Sequence, residues 1–196
     1  MEGIARARNS VRFQVICPLD HLDHQVRVPV KLAVDVHYKD EYAVAAGVVF
    51  DNWTDRAPRS CHVSFVDDVS EYLPGQFYKR ELPCILQLLE EHRLSPEYIL
   101  IDAYVYLDGY SIPGLGKYLY DALEHQVKII GVAKNPFKSI SPEYELYRGG
   151  SERPLYVTCA GEELSVCKKR VQSMSGRYRY PTLLKRVDQL SKQAHR

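Results

Sequence analysis

The strongest constraint on the fold of this 196-residue chain is a change of rhythm near residue 80. Before it come three β-rich runs in close succession, at 30–38, 42–50 and 61–66, separated by the turn Lys39-Asp40-Glu41 and the loop 51–60. Links this short make antiparallel neighbours. After it, helical and extended patterns alternate. Residues 80–92 place Leu82, Ile85, Leu86, Leu88 and Leu89 on a helical stripe, with Pro83 expected in the first turn, where its missing N–H costs little. Residues 98–102 read as a short buried strand, 116–124 as a helix, 127–132 and 155–159 as strands, and 164–173 and 182–193 as helices. The order predicts an α/β fold on a mixed sheet, antiparallel over its first three strands and parallel afterwards, flanked by helices. One domain is expected over 1–196, with 1–25 a polar extension holding a short strand at 11–16.

Charge is distributed unevenly along that domain. The formal net charge is only +1, yet residues 168–196 carry nine Lys and Arg against a single acid, Asp188. The preceding residues hold 17 basic and 24 acidic groups. A near-neutral total therefore does not exclude a polyanionic partner for the basic C-terminal segment. No window approaches the apolar length that spans a bilayer, and the first residues lack a signal-peptide apolar region, so a cytoplasmic protein without a membrane partner is expected. The five cysteines (Cys17, Cys61, Cys84, Cys159, Cys167) are scattered and unpaired in sequence, which predicts reduced thiols rather than a zinc site or disulfide framework.

Two carboxylates stand where apolar residues belong. Asp35 lies inside a β-rich run and Asp102 ends one, while Glu81 opens the helix between them. A buried carboxylate is costly unless paired or bound to a cation, and strand ends are where α/β sheets collect ligands. Three acids from different elements can hold one or two hard divalent cations, a site suited to phosphoryl chemistry; structural capping is the plainer role for any one of them. His37, two residues beyond Asp35 on the same strand face, is a further polar candidate, more often a packed neighbour than a ligand.

These residues carry a family resemblance. The segment Ala33-Val34-Asp35-Val36-His37-Tyr38-Lys39, followed by Ala43-Val44-Ala45-Ala46, resembles the first two strands of endonuclease V, the deoxyinosine 3′ endonuclease. Tyr72-Leu73-Pro74-Gly75 and Arg80-Glu81-Leu82-Pro83 resemble that family's strand-separating wedge and helix opening. Ile99-Leu100-Ile101-Asp102 and Ile130-Gly131-Val132-Ala133-Lys134 resemble its next two strand ends, and Pro154–Thr158, Leu164-Ser165 and Arg177-Tyr178-Arg179-Tyr180-Pro181 its C-terminal part.

The resemblance implies an RNase H-like fold and a Mg²⁺-dependent endonuclease, with Mn²⁺ able to substitute, acting as a monomer on DNA that contains a deaminated base. It implies cleavage of the second phosphodiester bond 3′ to deoxyinosine, leaving 3′-hydroxyl and 5′-phosphate ends. Asp35, Glu81 and Asp102 then occupy the metal positions, Lys134 sits by the scissile phosphate, and Glu162 stands where the family carries a histidine of the catalytic set. Tyr72, Leu73, Pro74 and Gly75 form the wedge, and Arg177 and Arg179 join Lys134 in holding phosphate. The same chemistry on inosine-containing or structured RNA, and a non-catalytic nucleic-acid-binding relative, remain open. The main departure follows Asp102: where the family has glycines lining the flipped-base pocket, this chain has Ala103 and Val105.

Overall fold

The computed structural model describes residues 29–67, 77–138 and 140–196. The short strand expected at 11–16, Cys17 and the wedge Tyr72-Leu73-Pro74-Gly75 lie outside the described residues. Seven strands form one sheet: β1 (Lys31–Tyr38), β2 (Ala43–Phe50), β3 (Ser60–Val66), β4 (Tyr98–Ile101), β5 (Lys128–Ala133), β6 (Glu145–Leu146) and β7 (Leu155–Ala160). Their spatial order is β3-β2-β1-β4-β5-β7-β6. The meander β1–β2–β3 is antiparallel, while β4 lies parallel to β1 and β5 parallel to β4. The last two strands reverse again, with β7 antiparallel to β5 and β6 antiparallel to β7.

Helices cover both faces, which explains why the central strands read as continuous apolar runs rather than alternations. On one face α1 (Tyr78–Glu91) and α2 (Leu115–Ala122) pack against Leu32, Val34, Ala45, Val49, Ile99, Ile101 and Ile129. On the other, α3 (Leu164–Ser173) and α4 (Thr182–Gln193) close over Ala33, Ala46, Val48, Phe50, Leu100, Ile130, Val132 and Val157. The helix α4 runs across β1 and β2, so a chain end rich in Lys and Arg still buries Leu183, Leu184 and Val187. Pro83 lies inside α1, in its second turn rather than its first, because the helix begins at Tyr78. Among the described residues four cysteines are free, and no helix is long and apolar enough to cross a membrane.

The outer edge of β3 is guarded by α1. Gln87 Nε2 donates to Phe65 O at 3.3 Å, and the His92 ring nitrogen meets Val63 O at 3.1 Å. Side-chain partners on outward carbonyls keep an edge strand from recruiting another chain.

Candidate metal centre and active site

The parallel ladder between β1 and β4 runs from Lys31↔Tyr98 to Val34↔Ile101 and stops there. The next residue on each strand is a carboxylate, Asp35 on β1 and Asp102 just past β4. Paired parallel strands splay at their carboxyl ends, and this pair opens with one acid on each lip. Glu81, in the first turn of α1, enters from one face of the sheet. Asp188 of α4 enters from the other. Donor oxygens of Asp35, Asp102 and Asp188 all lie within 4.8 Å of one another. Asp35 and Asp102 line a cleft of about 230 Å³, open to solvent, with Glu81, Val34, Val36, Ile85, Ile101 and Leu115.

Asp188 was absent from the sequence-level set, although a signal existed. It is the one acid in the basic C-terminal segment, and it directly follows Val187 on the buried stripe of α4.

The surroundings decide how these acids titrate. Glu81 is held well above the usual carboxylate range, first by burial and then by the charges of Asp35 and Asp102. Asp35 is also raised, by burial, with Asp102 and Asp188 adding to it while the hydrogen bond from Ser191 Oγ and the charge of Lys134 oppose. Burial pushes Asp188 upward too, but Lys192 at 2.8 Å and Lys134 at 3.7 Å outweigh it and leave the group below its ordinary value. Lys134, the residue after β5, donates to Asp102 Oδ2 at 2.5 Å and rests over the Tyr180 ring at 4.3 Å. The Tyr180 hydroxyl hydrogen-bonds Asp102, and burial followed by the surrounding acids keeps it protonated far above its usual range.

Three carboxylates, Asp35, Asp102 and Asp188, thus cluster beside two ammonium groups, Lys134 and Lys192, with Glu81 in the same cleft. The donors are all oxygen, the set preferred by hard divalent cations, and Asp35 and Glu81 are raised first by burial and then by the neighbouring carboxylates. The residues fit a Mg²⁺- or Mn²⁺-type ion.

The expectation for Glu162 is not met by its position. It follows β7, which runs antiparallel to β5, and this puts it at the opposite end of the sheet from Asp102. There Tyr98 Oη donates to it at 2.6 Å, Arg170 Nη1 donates at 2.9 Å, and Lys128 lies at 3.6 Å. It anchors a polar network at the start of β4. His37 faces α4, among Lys39, Lys192 and Asp188, and is not one of the three residues whose donor oxygens cluster; burial, then those lysines, lowers its pKa. Arg179 lies beside Lys134, donating to Lys134 O and Pro154 O at 3.2 Å each, whereas exposed Arg177 bonds the Tyr178 hydroxyl at 2.6 Å. A buried arginine that the sequence did not single out organises this segment. Arg148 donates to the carbonyls of Met174, Gly176, Tyr178 and Arg179 at 2.6–3.1 Å, fixing the stretch that delivers Tyr180 and Arg179 to the site.

The loop after Asp102 lies flat against the sheet end. Val105 N donates to Thr158 Oγ1 at 2.8 Å, Leu107 N donates to Ile112 O at 2.8 Å, and the Val105 side chain is fully buried against the α1–α2 core. The glycines that permit this approach belong to its neighbours. A Cβ at Gly131 would stand 2.4 Å from Ala103 O, and one at Gly116 would stand 2.6 Å from Val105 Cγ2.

An RNase H-like sheet with carboxylates on the lips of its central parallel strands defines the class: a nuclease fold with an acidic cluster that could hold a metal ion. Within that class the chain belongs to the endonuclease V family, whose model matches residues 17–175. Among solved structures, the catalytic domain of human endonuclease V superposes with a TM-score of 0.70 at 19% identity, over 86% of this chain and 82% of that one. Endonuclease V from Streptomyces avermitilis gives 0.69 at 24% identity, over 85% and 81%. A Ciona intestinalis endonuclease V variant, in complex with a 23mer DNA containing an inosine followed by a ribo-adenosine, gives 0.69 at 21% identity, over 86% of each chain. At these identities the likeness carries the fold. No curated protein matches the chain.

Proposed function

We propose that this protein is a divalent-metal-dependent endonuclease that hydrolyses DNA on the 3′ side of a deaminated base, deoxyinosine in the first instance, and leaves 3′-hydroxyl and 5′-phosphate ends. The observation that carries this reading is the convergence of Asp35, Asp102 and Asp188 within 4.8 Å, beside Glu81, in a member of the endonuclease V family. These four residues would hold Mg²⁺ or Mn²⁺. When bound, such an ion supplies Lewis acidity toward the phosphoryl group and a more acidic water.

The protein's own groups do the rest. Lys134 offers a compact ammonium for the charge that develops on the phosphoryl oxygens, and it can turn from Asp102 to a phosphate without leaving the Tyr180 ring. Ser191 holds one oxygen of Asp35 in place by hydrogen bonding to it. Arg177, exposed at the rim, and Arg179, beside Lys134, hold flanking phosphates. The wedge Tyr72-Leu73-Pro74-Gly75 shortly precedes α1 in the chain and props the strands apart once the lesion has left the stack. Opening costs least where pairing is already weak.

The test is cleavage of end-labelled single- and double-stranded oligonucleotides carrying deoxyinosine, in Mg²⁺ and in Mn²⁺, beside Asp35→Ala and Asp188→Ala. Loss of metal-dependent cutting in both variants is expected; unchanged cutting in either removes that residue from the centre. A parallel set with riboinosine distinguishes an RNA substrate.

A further inference from the structure

Away from the carboxylate cleft, two nucleophilic side chains meet where α3 packs on β7. Successive strand residues point to opposite faces. Leu155, Val157 and Cys159 therefore share the face of β7 that α3 covers, while Thr158 turns the other way and holds Val105. The chain reverses just past β7 through Gly161, whose φ of +79° suits glycine and few other residues. The helix that follows lays Cys167 against the same face. Cys167 is fully buried, whereas Cys159 is partly exposed.

A hydrogen bond joins the two thiols, and Cys159 Sγ in turn donates to Glu162 O at 3.2 Å. The bond between the sulfurs divides their roles. It raises Cys167, the donor, and burial adds to this. It lowers Cys159, whose thiolate it stabilises, against the opposing effects of burial and the charge of Glu162. An accessible sulfur with a favoured thiolate is what makes a cysteine reactive, and Cys159 has a second thiol in contact behind it. Of the other described cysteines, Cys61 lies exposed on β3. Buried Cys84 donates to Arg80 O at 3.2 Å, its thiol pushed up to about 11 by burial.

We propose that Cys159 and Cys167 form a reversible redox site that hydroperoxides oxidise, with Cys159 as the attacking thiol and Cys167 as the resolving one. The Cys159 thiolate attacks a peroxide oxygen: an S–O bond forms, the O–O bond breaks, and the leaving oxygen takes up a proton to depart as water or an alcohol. The Cys167 sulfur then attacks that of Cys159. The S–S bond forms, the S–O bond breaks, and hydroxide leaves as water with the Cys167 proton. The two thiols have together given two electrons and two protons to one peroxide. An external dithiol reverses the change by exchange and is itself oxidised to a disulfide. The nearby second thiol stops the oxidation at a reversible stage, since a lone sulfenic acid proceeds to sulfinic acid.

The test uses the full chain, reduced and then freed of reductant. It is treated with hydrogen peroxide, its remaining thiols are alkylated in denaturant, and it is digested at Glu162 and Glu163, which lie between the two cysteines. Mass spectrometry should find the Cys159 and Cys167 peptides joined, separable by dithiothreitol, with Cys84 recovered alkylated. Dimedone, which captures sulfenic acids, should label Cys159 in Cys167→Ser and Cys167→Ala and leave it unlabelled in wild type. Recovery of Cys159 and Cys167 as alkylated thiols, at a peroxide dose that oxidises Cys61, overturns the inference. So does a disulfide from Cys159 to any cysteine other than Cys167, and so does equal dimedone labelling of Cys159 in wild type and both variants. The wild-type map requires no variant to fold. None of these readouts involves cutting DNA, so the redox site and the nuclease reading stand or fall separately.

Discussion

Replacing Asp35 by Asn should stabilise the metal-free protein and destabilise it relative to wild type once metal is added. At 4.8 Å, the outer limit of separation among the donor oxygens of Asp35, Asp102 and Asp188, two carboxylate charges repel by about 3.5 kcal/mol at an effective dielectric constant of ~20. Lys134 and partial solvent access cancel part of that, so removing the Asp35 charge should return roughly 1–3 kcal/mol, and Tm should rise by about 2–4 °C per kcal/mol for a chain of this size. Asn still presents an oxygen to accept the Ser191 hydrogen bond, so the change isolates charge from packing. The pH dependence follows from linkage. Asp35 has a folded-state pKa above its ordinary 3.8, so ionising it costs stability as pH climbs from that value through the raised one. The advantage of Asp35→Asn should be complete at neutral pH and vanish below about pH 4. With metal the sign reverses: at a hundred times its dissociation constant a ligand stabilises the native state by ~2.7 kcal/mol, and the variant forfeits much of this. Thermal melts in EDTA and in Mn²⁺, across pH 4 to 8, are sufficient. An Asp35→Asn protein that melts below wild type in EDTA at pH 7.5 would refute the argument, since the acids would then not be a site of unrelieved repulsion.

Three further substitutions probe separate parts of the architecture. Arg148→Ala leaves four carbonyls of the segment from Met174 to Arg179 without their donor; a buried acceptor left unsatisfied costs ~1–3 kcal/mol, and hydrogen exchange should show amides of that segment opening first. Gly131→Ala places a methyl group 2.4 Å from Ala103 O and 2.9 Å from Val105 N, so the backbone that carries Asp102 must shift. Overpacking of this kind costs ~1–3 kcal/mol, and a lower melting temperature should accompany weaker Mn²⁺ binding by calorimetry. Glu162→Gln should leave cleavage within about threefold of wild type while lowering thermal stability, because Glu162 serves Tyr98, Arg170 and Lys128 at the far end of the sheet; a loss as deep as that of Asp35→Ala would return it to the active site.

The contrast between Glu162 and Asp188 shows what the sequence could and could not disclose. Periodicity located most of the strands and helices because their burial is regular, and Asp35 and Asp102 stood out because each interrupts an apolar run. Their juxtaposition follows from one ladder, in which Val34 and Ile101 are the last partners. Glu162 was placed by matching a local segment, but the sense of a strand is a tertiary property: once β7 turns antiparallel to β5, everything after Ala160 emerges at the wrong end for the carboxylates. Asp188 needed the opposite insight. Its local signal, one acid next to the apolar stripe of a basic helix, is weak, since an acid among Lys185, Arg186 and Lys192 also reads as a solvated helix surface. Only the packing of α4 over β1, driven by Leu183, Leu184 and Val187, carries it to the splayed strand ends, where Ser191 one turn later meets Asp35. The basic C-terminal segment therefore has a role beyond electrostatic attraction. Its apolar stripe positions a carboxylate, and its lysine at 192 holds that carboxylate ionised until a stronger cation competes for it.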